Sequence, residues 1–146
     1  MKIALGADHA GFELKEKIKR LLDELGHEVL DLGCHSTESV DYPVFGAKVA
    51  RCILSGQAER GILVCGTGLG MSMVANRFPG IRAALCHELF TARMARLHND
   101  ANVLVLGGRV IGDVLALEMV RVFLETPFEG GRHARRINQI DELTRA

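Results

Sequence analysis

Cys65 ends the apolar run GILVC and begins the small-residue run CGTGLG, near the middle of a 146-residue chain. A cysteine at that junction stands at the mouth of a strand–loop–helix turn, where open α/β sheets bind their ligands. Small residues there let backbone N–H groups come close to a bound group. The start of the following helix adds the positive end of its dipole. Such a nest holds a phosphate, or an oxyanion that develops during reaction, and it favours the thiolate form of a neighbouring cysteine. Cys65 is therefore a candidate base or nucleophile. The glycines at 66, 68 and 70 give G-x-G-x-G rather than G-x-G-x-x-G, and no Lys-Ser or Lys-Thr follows. Glu88 stands about 20 residues on, where a dinucleotide fingerprint has its ribose-binding acid, but no second domain remains to hold a substrate. A nucleotide site is the weaker reading.

Other polar groups fall at strand ends. ADHAG puts Asp8 and His9 at a helix entry, where Asp8 also suits a plain helix cap. GCHSTESVDYP offers His35 and Ser39, and GGRVIG offers Arg109 after the last strand. His98 and Asn99, in RLHNDAN, precede their strand and so belong to its opposite, amino end. Either the chain curls back there or these two serve a neighbouring subunit. His98 also suits a helix C-terminus, where the dipole favours a basic group. Near the end, four of the five residues 132–136 are basic. Arg132 and Arg136, four apart, share a helix face and could close on one phosphate; Arg135 shares much of that face, and a solvated basic helix end is the bland alternative. His27, His35 and His87 have no zinc-like spacing to acids or cysteines, so no metal is expected. Cys34, Cys52 and Cys86 read as small buried residues.

Five β-rich runs carry these groups: residues 2–6, 28–33, 61–66, 81–86 and 102–108. They are apolar with little alternation, as in a parallel sheet covered on both faces. Helical patterns lie between them at 12–26, 42–56, 88–97 and 112–126, and RHARRINQIDELT (132–144) adds a last one. Gly26 is placed to end the first helix, and Asp41 and Asp113 to start others. The alternation predicts a three-layer αβα sandwich with a five-stranded parallel sheet, Rossmann-like, in one domain over 1–146.

Eighteen basic and eighteen acidic residues give no net pull toward nucleic acid or anionic membrane, so any basic site is local. No apolar run reaches the length of a membrane span, and the opening MKIALGADHAG is too quickly interrupted to read as a secretory signal. Four cysteines without a C-x-x-C pair fit a reduced, cytoplasmic protein.

Taken in order, ADHAGFELK, SVDYP, ILVCGTGLGMSMVANR, GIRAAL, ARLHNDANVLVLGGRVIG and FEGGRHARR resemble the type B ribose-5-phosphate isomerases and their sugar-phosphate relatives over nearly the whole chain. The resemblance implies interconversion of ribose 5-phosphate and ribulose 5-phosphate in the pentose phosphate pathway, with neither metal nor organic cofactor. It makes Cys65 the base between carbons 1 and 2, and Gly66, Thr67, Gly68, Leu69 and Gly70 the nest for an enediolate. His98 becomes the group that opens the furanose ring, with Thr67 assisting at the ring oxygen. Asp8 and Asn99 would take substrate hydroxyls; His9, Arg109, Arg132 and Arg136 would bind the phosphate, and Arg135 falls outside the family's R-x-x-x-R pair. Some relatives take a glutamate base from the helix after the loop, but GMSMVANR has none. The resemblance also implies a homodimer or tetramer whose partner supplies residues of the 98–99 and C-terminal segments. Three rivals remain. Allose 6-phosphate stays open because pocket depth is not legible in a sequence, galactose 6-phosphate isomerases usually need two different subunits, and a non-catalytic sugar-phosphate regulator would need no base.

Overall fold

The computed structural model describes residues 1–145. Its strands are β1 (Lys2–Ala7), β2 (Glu28–Asp31), β3 (Arg60–Cys65), β4 (Ala83–Leu85) and β5 (Val103–Gly107). Its helices are α1 (Phe12–Glu24), α2 (Tyr42–Leu54), α3 (Leu69–Ala75), α4 (Leu89–Leu97), α5 (Asp113–Glu125) and α6 (Arg132–Thr144). The strands pair in parallel in the order β2-β1-β3-β5-β4.

Successive strand side chains face opposite sides, so each apolar run feeds two cores. Ile3, Leu5, Ile62, Val64, Leu104 and Leu106 form one face, covered by apolar residues of α1, α4 and α5. Ala4, Leu63, Cys65, Val103 and Val105 form the other, against residues of α2 and α3. This is the three-layer α/β/α arrangement expected from the sequence.

The chain runs from β1 outward to β2, then back past β1 to β3, so its direction of travel reverses between β1 and β3. A crevice opens beyond the carboxyl ends of strands at such a reversal. Asp8 and His9 follow β1, and the glycine loop follows β3.

Three strands are shorter than the sequence predicts, β5 by one residue at each end. β2 stops at Asp31 rather than 33, where its carboxylate accepts the Gly33 N–H at 3.0 Å. The fully buried Lys15 donates to both Asp31 oxygens at 2.8 Å. Burial alone would raise the Asp31 pKa; hydrogen bonds from Lys15, the Gly33 N–H and Lys19 outweigh it and hold the carboxyl below its ordinary value. That pair fixes the start of loop 32–41, which reaches across to His9. β4 shrinks from 81–86 to three residues because the Arg82 N–H goes to Asn102 Oδ1 at 2.8 Å instead of to a strand neighbour.

The predicted last helix appears with its predicted bounds, 132–144. Of its thirteen residues only His133 is buried.

Candidate active site

Asp8 is buried, and its Oδ1 accepts the N–H groups of Ala10 and Gly11 at 3.0 and 3.1 Å. With one oxygen it closes the turn that leads into α1; the N-cap of that helix is Gly11, without a side-chain cap, so the plain helix-cap reading of Asp8 does not hold. Its backbone N–H donates to Val64 O at 3.2 Å, which seats it beside the end of β3. His9 Nδ1 accepts the Val40 N–H at 3.1 Å. That contact fixes the tautomer with the proton on Nε2, leaving this N–H as a donor.

Cys65 is 6% exposed, and its Sγ accepts the Gly68 N–H at 3.2 Å. Gly68 is the N-cap of α3 with φ of 83°, a left-handed turn that glycine makes without cost. Thr67 Oγ1 accepts the Leu69 N–H at 3.3 Å. The next N–H groups, on Gly70 and Met71, lie in the first turn of α3 and have no partner within the helix. From β5, Gly108 donates its N–H to Cys65 O at 2.8 Å and Arg109 donates to Gly66 O at 3.0 Å. The Arg109 side chain lies over Gly66; a Cβ there would sit 3.6 Å from its Nη1. Asp8, His9, residues 65–70 and Arg109 thus gather at the carboxyl ends of β1, β3 and β5.

His98, Asn99, Arg132 and Arg136 gather elsewhere. His98 is the C-cap of α4, so the helix-terminus reading of this residue holds. Its ring stacks on His133, with centroids 4.2 Å apart and planes 12° from parallel. α6 therefore begins beside His98, with Arg132 and Arg136 on it. Glu129 joins the pair, 3.9 Å from His98 Nε2 and 3.7 Å from His133 Nε2. Burial, together with the charges of His98, Arg132 and Arg136, pushes the His133 pKa down against the pull of Glu129. A groove of about 1160 Å³ runs from here between the α3–β4 loop and α6, lined by Asn76, Phe78, Arg82, Asn99, Ile140 and Thr144.

The strand register measures the gap between the two groups. Cys65 pairs with Gly107 and Gly61 with Val103, so Asn102 lies beyond the start of β5. Four residues of strand at about 3.3 Å each put the groups about 13 Å apart or more along the sheet. The loop does not curl back within its own chain.

Among the described residues, His98, Glu129 and His133 form the one group of three side chains with metal-ligand atoms close together. Nearly parallel stacked rings have no common in-plane point near both nitrogens, so this arrangement is not a preformed metal centre. Glu88, weighed as a ribose-binding acid, spends its carboxylate on the N-terminus of α4, accepting from Phe90 and Thr91 N–H at 2.7 and 3.0 Å. His35, Ser39 and Arg135 are exposed and make no side-chain hydrogen bond or ion pair among the described residues.

Three residues of these two groups escaped the sequence reading. Tyr42 lies against Gly70 so closely that a Cβ on the glycine would collide with the ring. Glu129 and His133 flank His98. Their four-residue spacing in EGGRH was a legible signal, overshadowed by the arginines around it.

The chain matches the model of a family described as ribose/galactose isomerase over residues 3–140. It is 48% identical over 142 residues to ribose-5-phosphate isomerase B of Escherichia coli, covering 97% of this chain and 95% of that one. Among solved structures it is similar to ribose-5-phosphate isomerase B of Clostridium thermocellum, with TM-score 0.97, 55% identity and coverage of 98% and 97%. The corresponding isomerase of Thermotoga maritima gives TM-score 0.94 at 61% identity, with 97% of each chain covered.

Proposed function

The chain belongs to the ribose/galactose isomerase family, and on that footing we propose that it interconverts ribose 5-phosphate and ribulose 5-phosphate as a single cytoplasmic domain. Cys65 is the base, and no step calls on a metal or an organic cofactor. The observation that carries this reading is the Gly68 N–H donated to Cys65 Sγ at 3.2 Å. That N–H holds the sulfur at the mouth of the glycine loop, beside the first turn of α3.

Ring opening breaks the bond between C1 and the ring oxygen. His98 takes the proton of the C1 hydroxyl and returns it to the ring oxygen, where Thr67 assists. The Cys65 thiolate then removes the proton from C2, and the electron pair left behind makes the enediolate. Loop 66–70 faces that charge, with the Gly70 and Met71 N–H groups available to it. Cys65 returns the proton to C1 while the hydroxyl proton moves from O2 to O1, which completes the ketose. Asp8 and Asn99 hold hydroxyls. The Nε2–H of His9, with Arg109, Arg132 and Arg136, holds the phosphate, fixing the reacting end without touching it.

The two groups lie too far apart to serve one substrate from a single chain. The active unit is therefore a homodimer, or a tetramer of such pairs, in which His98, Asn99 and the α6 arginines of one subunit complete the partner's site. Exposed Val44, Leu69, Met73 and Phe90, and a last helix with one buried residue, support such an interface.

Wild type and Cys65→Ala, assayed with ribose 5-phosphate and a chelator present, test the reading. Wild type should turn over and the variant should lose about 10²- to 10⁴-fold in kcat, the usual share of a general base. Normal turnover in the variant puts the base elsewhere. An inactive wild type moves the search to six-carbon sugar phosphates.

A further inference from the structure

The segment that carries His98 and Asn99 is held in an unusual way. Asp100 has φ of 44°, the only positive value at a non-glycine residue among those described. Aspartate tolerates this turn better than most residues, but the turn needs support. Two guanidinium groups supply it. Arg82 Nε donates to the carbonyl oxygens of Asn99 and Asp100 at 3.0 and 3.2 Å, and Arg82 Nη2 donates to Asp100 O at 2.9 Å. Arg96, 4% exposed, donates from Nη1 to Asp100 Oδ1 at 2.8 Å and to Ala101 O at 2.6 Å. Its Nε reaches Thr126 O at 3.2 Å. Asn102 locks the same corner by accepting the Arg82 N–H and donating to Gly80 O at 2.9 Å.

Three consecutive carbonyls, 99 to 101, are thus turned inward onto arginines, while the side chains of His98 and Asn99 remain accessible at the surface. Neither arginine is a candidate for touching substrate. We infer that Arg82, working with Arg96 through Asp100, is a positioning residue that presents His98 and Asn99 to the partner subunit's site. This rests on the shared-site reading above. Arg82 is the informative member, because its side chain is 25% exposed and its loss leaves the core intact. A lysine keeps the charge but lacks the planar fork that spans two carbonyls at once.

The test uses mixed dimers. Arg82→Met alone should unfold cooperatively near the wild-type temperature yet lose about 10- to 100-fold in kcat, with the larger share in kcat rather than KM. Arg82→Lys should recover only part of that loss. When Arg82→Met chains are coexpressed with Cys65→Ala chains under two affinity tags, the purified mixed dimer has one site that draws Cys65 from the first chain and His98, with an intact clamp, from the second. It should regain up to about half of wild-type activity, one site of two. A parallel mixed dimer of His98→Asn and Cys65→Ala should behave alike.

Unaltered activity in Arg82→Met overturns the inference. So does a mixed dimer that stays inactive while the His98→Asn control recovers, because the lesion then acts within its own chain's site. If the control also stays inactive, the shared-site reading is wrong, and the role given to Arg82 falls with it.

Discussion

At the carboxyl ends of β1, β3 and β5 the site is built from backbone: glycine turns, the first turn of α3, and a cysteine sulfur held by an N–H. At the opposite end of the sheet it is built from long side chains, with arginines gripping carbonyls, two stacked histidines and a mostly exposed helix. The first construction is fixed once the strands pair, because strand register sets where Cys65, Gly66 and Arg109 meet. The second depends on particular side chains, and in the proposed dimer a partner subunit completes it. In the proposed reaction the proton transfer between carbons 1 and 2 falls to the first and ring opening by His98 to the second, while the phosphate ligands are divided between them.

Gly68→Ala should break the backbone half with the largest effect. A Cβ there would require φ of 83° from a residue that disfavours it, and would sit 3.2 Å from the Leu106 carbonyl carbon as well as clashing with Leu85. About 2–4 kcal/mol of stability should be lost, read by urea unfolding, together with activity. A variant with wild-type stability would mean the loop is more plastic than its geometry implies.

Arg136→Ala should mark the contrast. It should leave the unfolding midpoint almost unmoved, because the residue is exposed, yet raise KM by the equivalent of about 1.5–3 kcal/mol. An unchanged KM would shift the phosphate contact to Arg135 or return α6 to the role of a solvated end.

The smallest effect belongs to Glu88, which starts the helix that joins the two ends. Hydrogen bonding from Thr91, helped by the backbone N–H groups of Thr91 and Phe90, holds its carboxyl below the ordinary value against slight desolvation. A carboxylate whose pKa is depressed on folding contributes stability that is present above its unfolded pKa and fades as pH falls through the folded one. Glu88→Gln should therefore melt slightly below wild type at neutral pH, and the difference should shrink on acidification below the ordinary carboxylate range. A gap that persists in acid would show that the cap acts through shape rather than charge.

The backbone half was nearly all legible in the sequence, because apolar runs, glycines and strand ends are local signals. Cys65, Asp8, His9 and Arg109 could be brought together from the rule that open sheets bind beyond their carboxyl ends. That His98 and Asn99 belong to the far end was legible too, from their place before β5. What periodicity does not carry is the pairing of long side chains across distant segments. Arg82 with Asp100, His133 beneath His98 and Tyr42 against Gly70 each join residues whose separation in the chain has no pattern. The shortened β4 has the same origin, since a side-chain amide from Asn102 displaced a backbone partner.

One further consequence concerns length. α4 runs nine residues from the Glu88 cap to His98, and it spans the sheet from the end near the glycine loop to the end near α6. A single residue inserted within it would turn everything beyond by about 100°. Arg96 would leave Asp100, and His98 would leave His133. The connection at 126–131 between α5 and α6 is tethered at Thr126 and Glu129, and Glu129 faces the same two histidines. Related chains should thus hold α4 to a fixed number of residues.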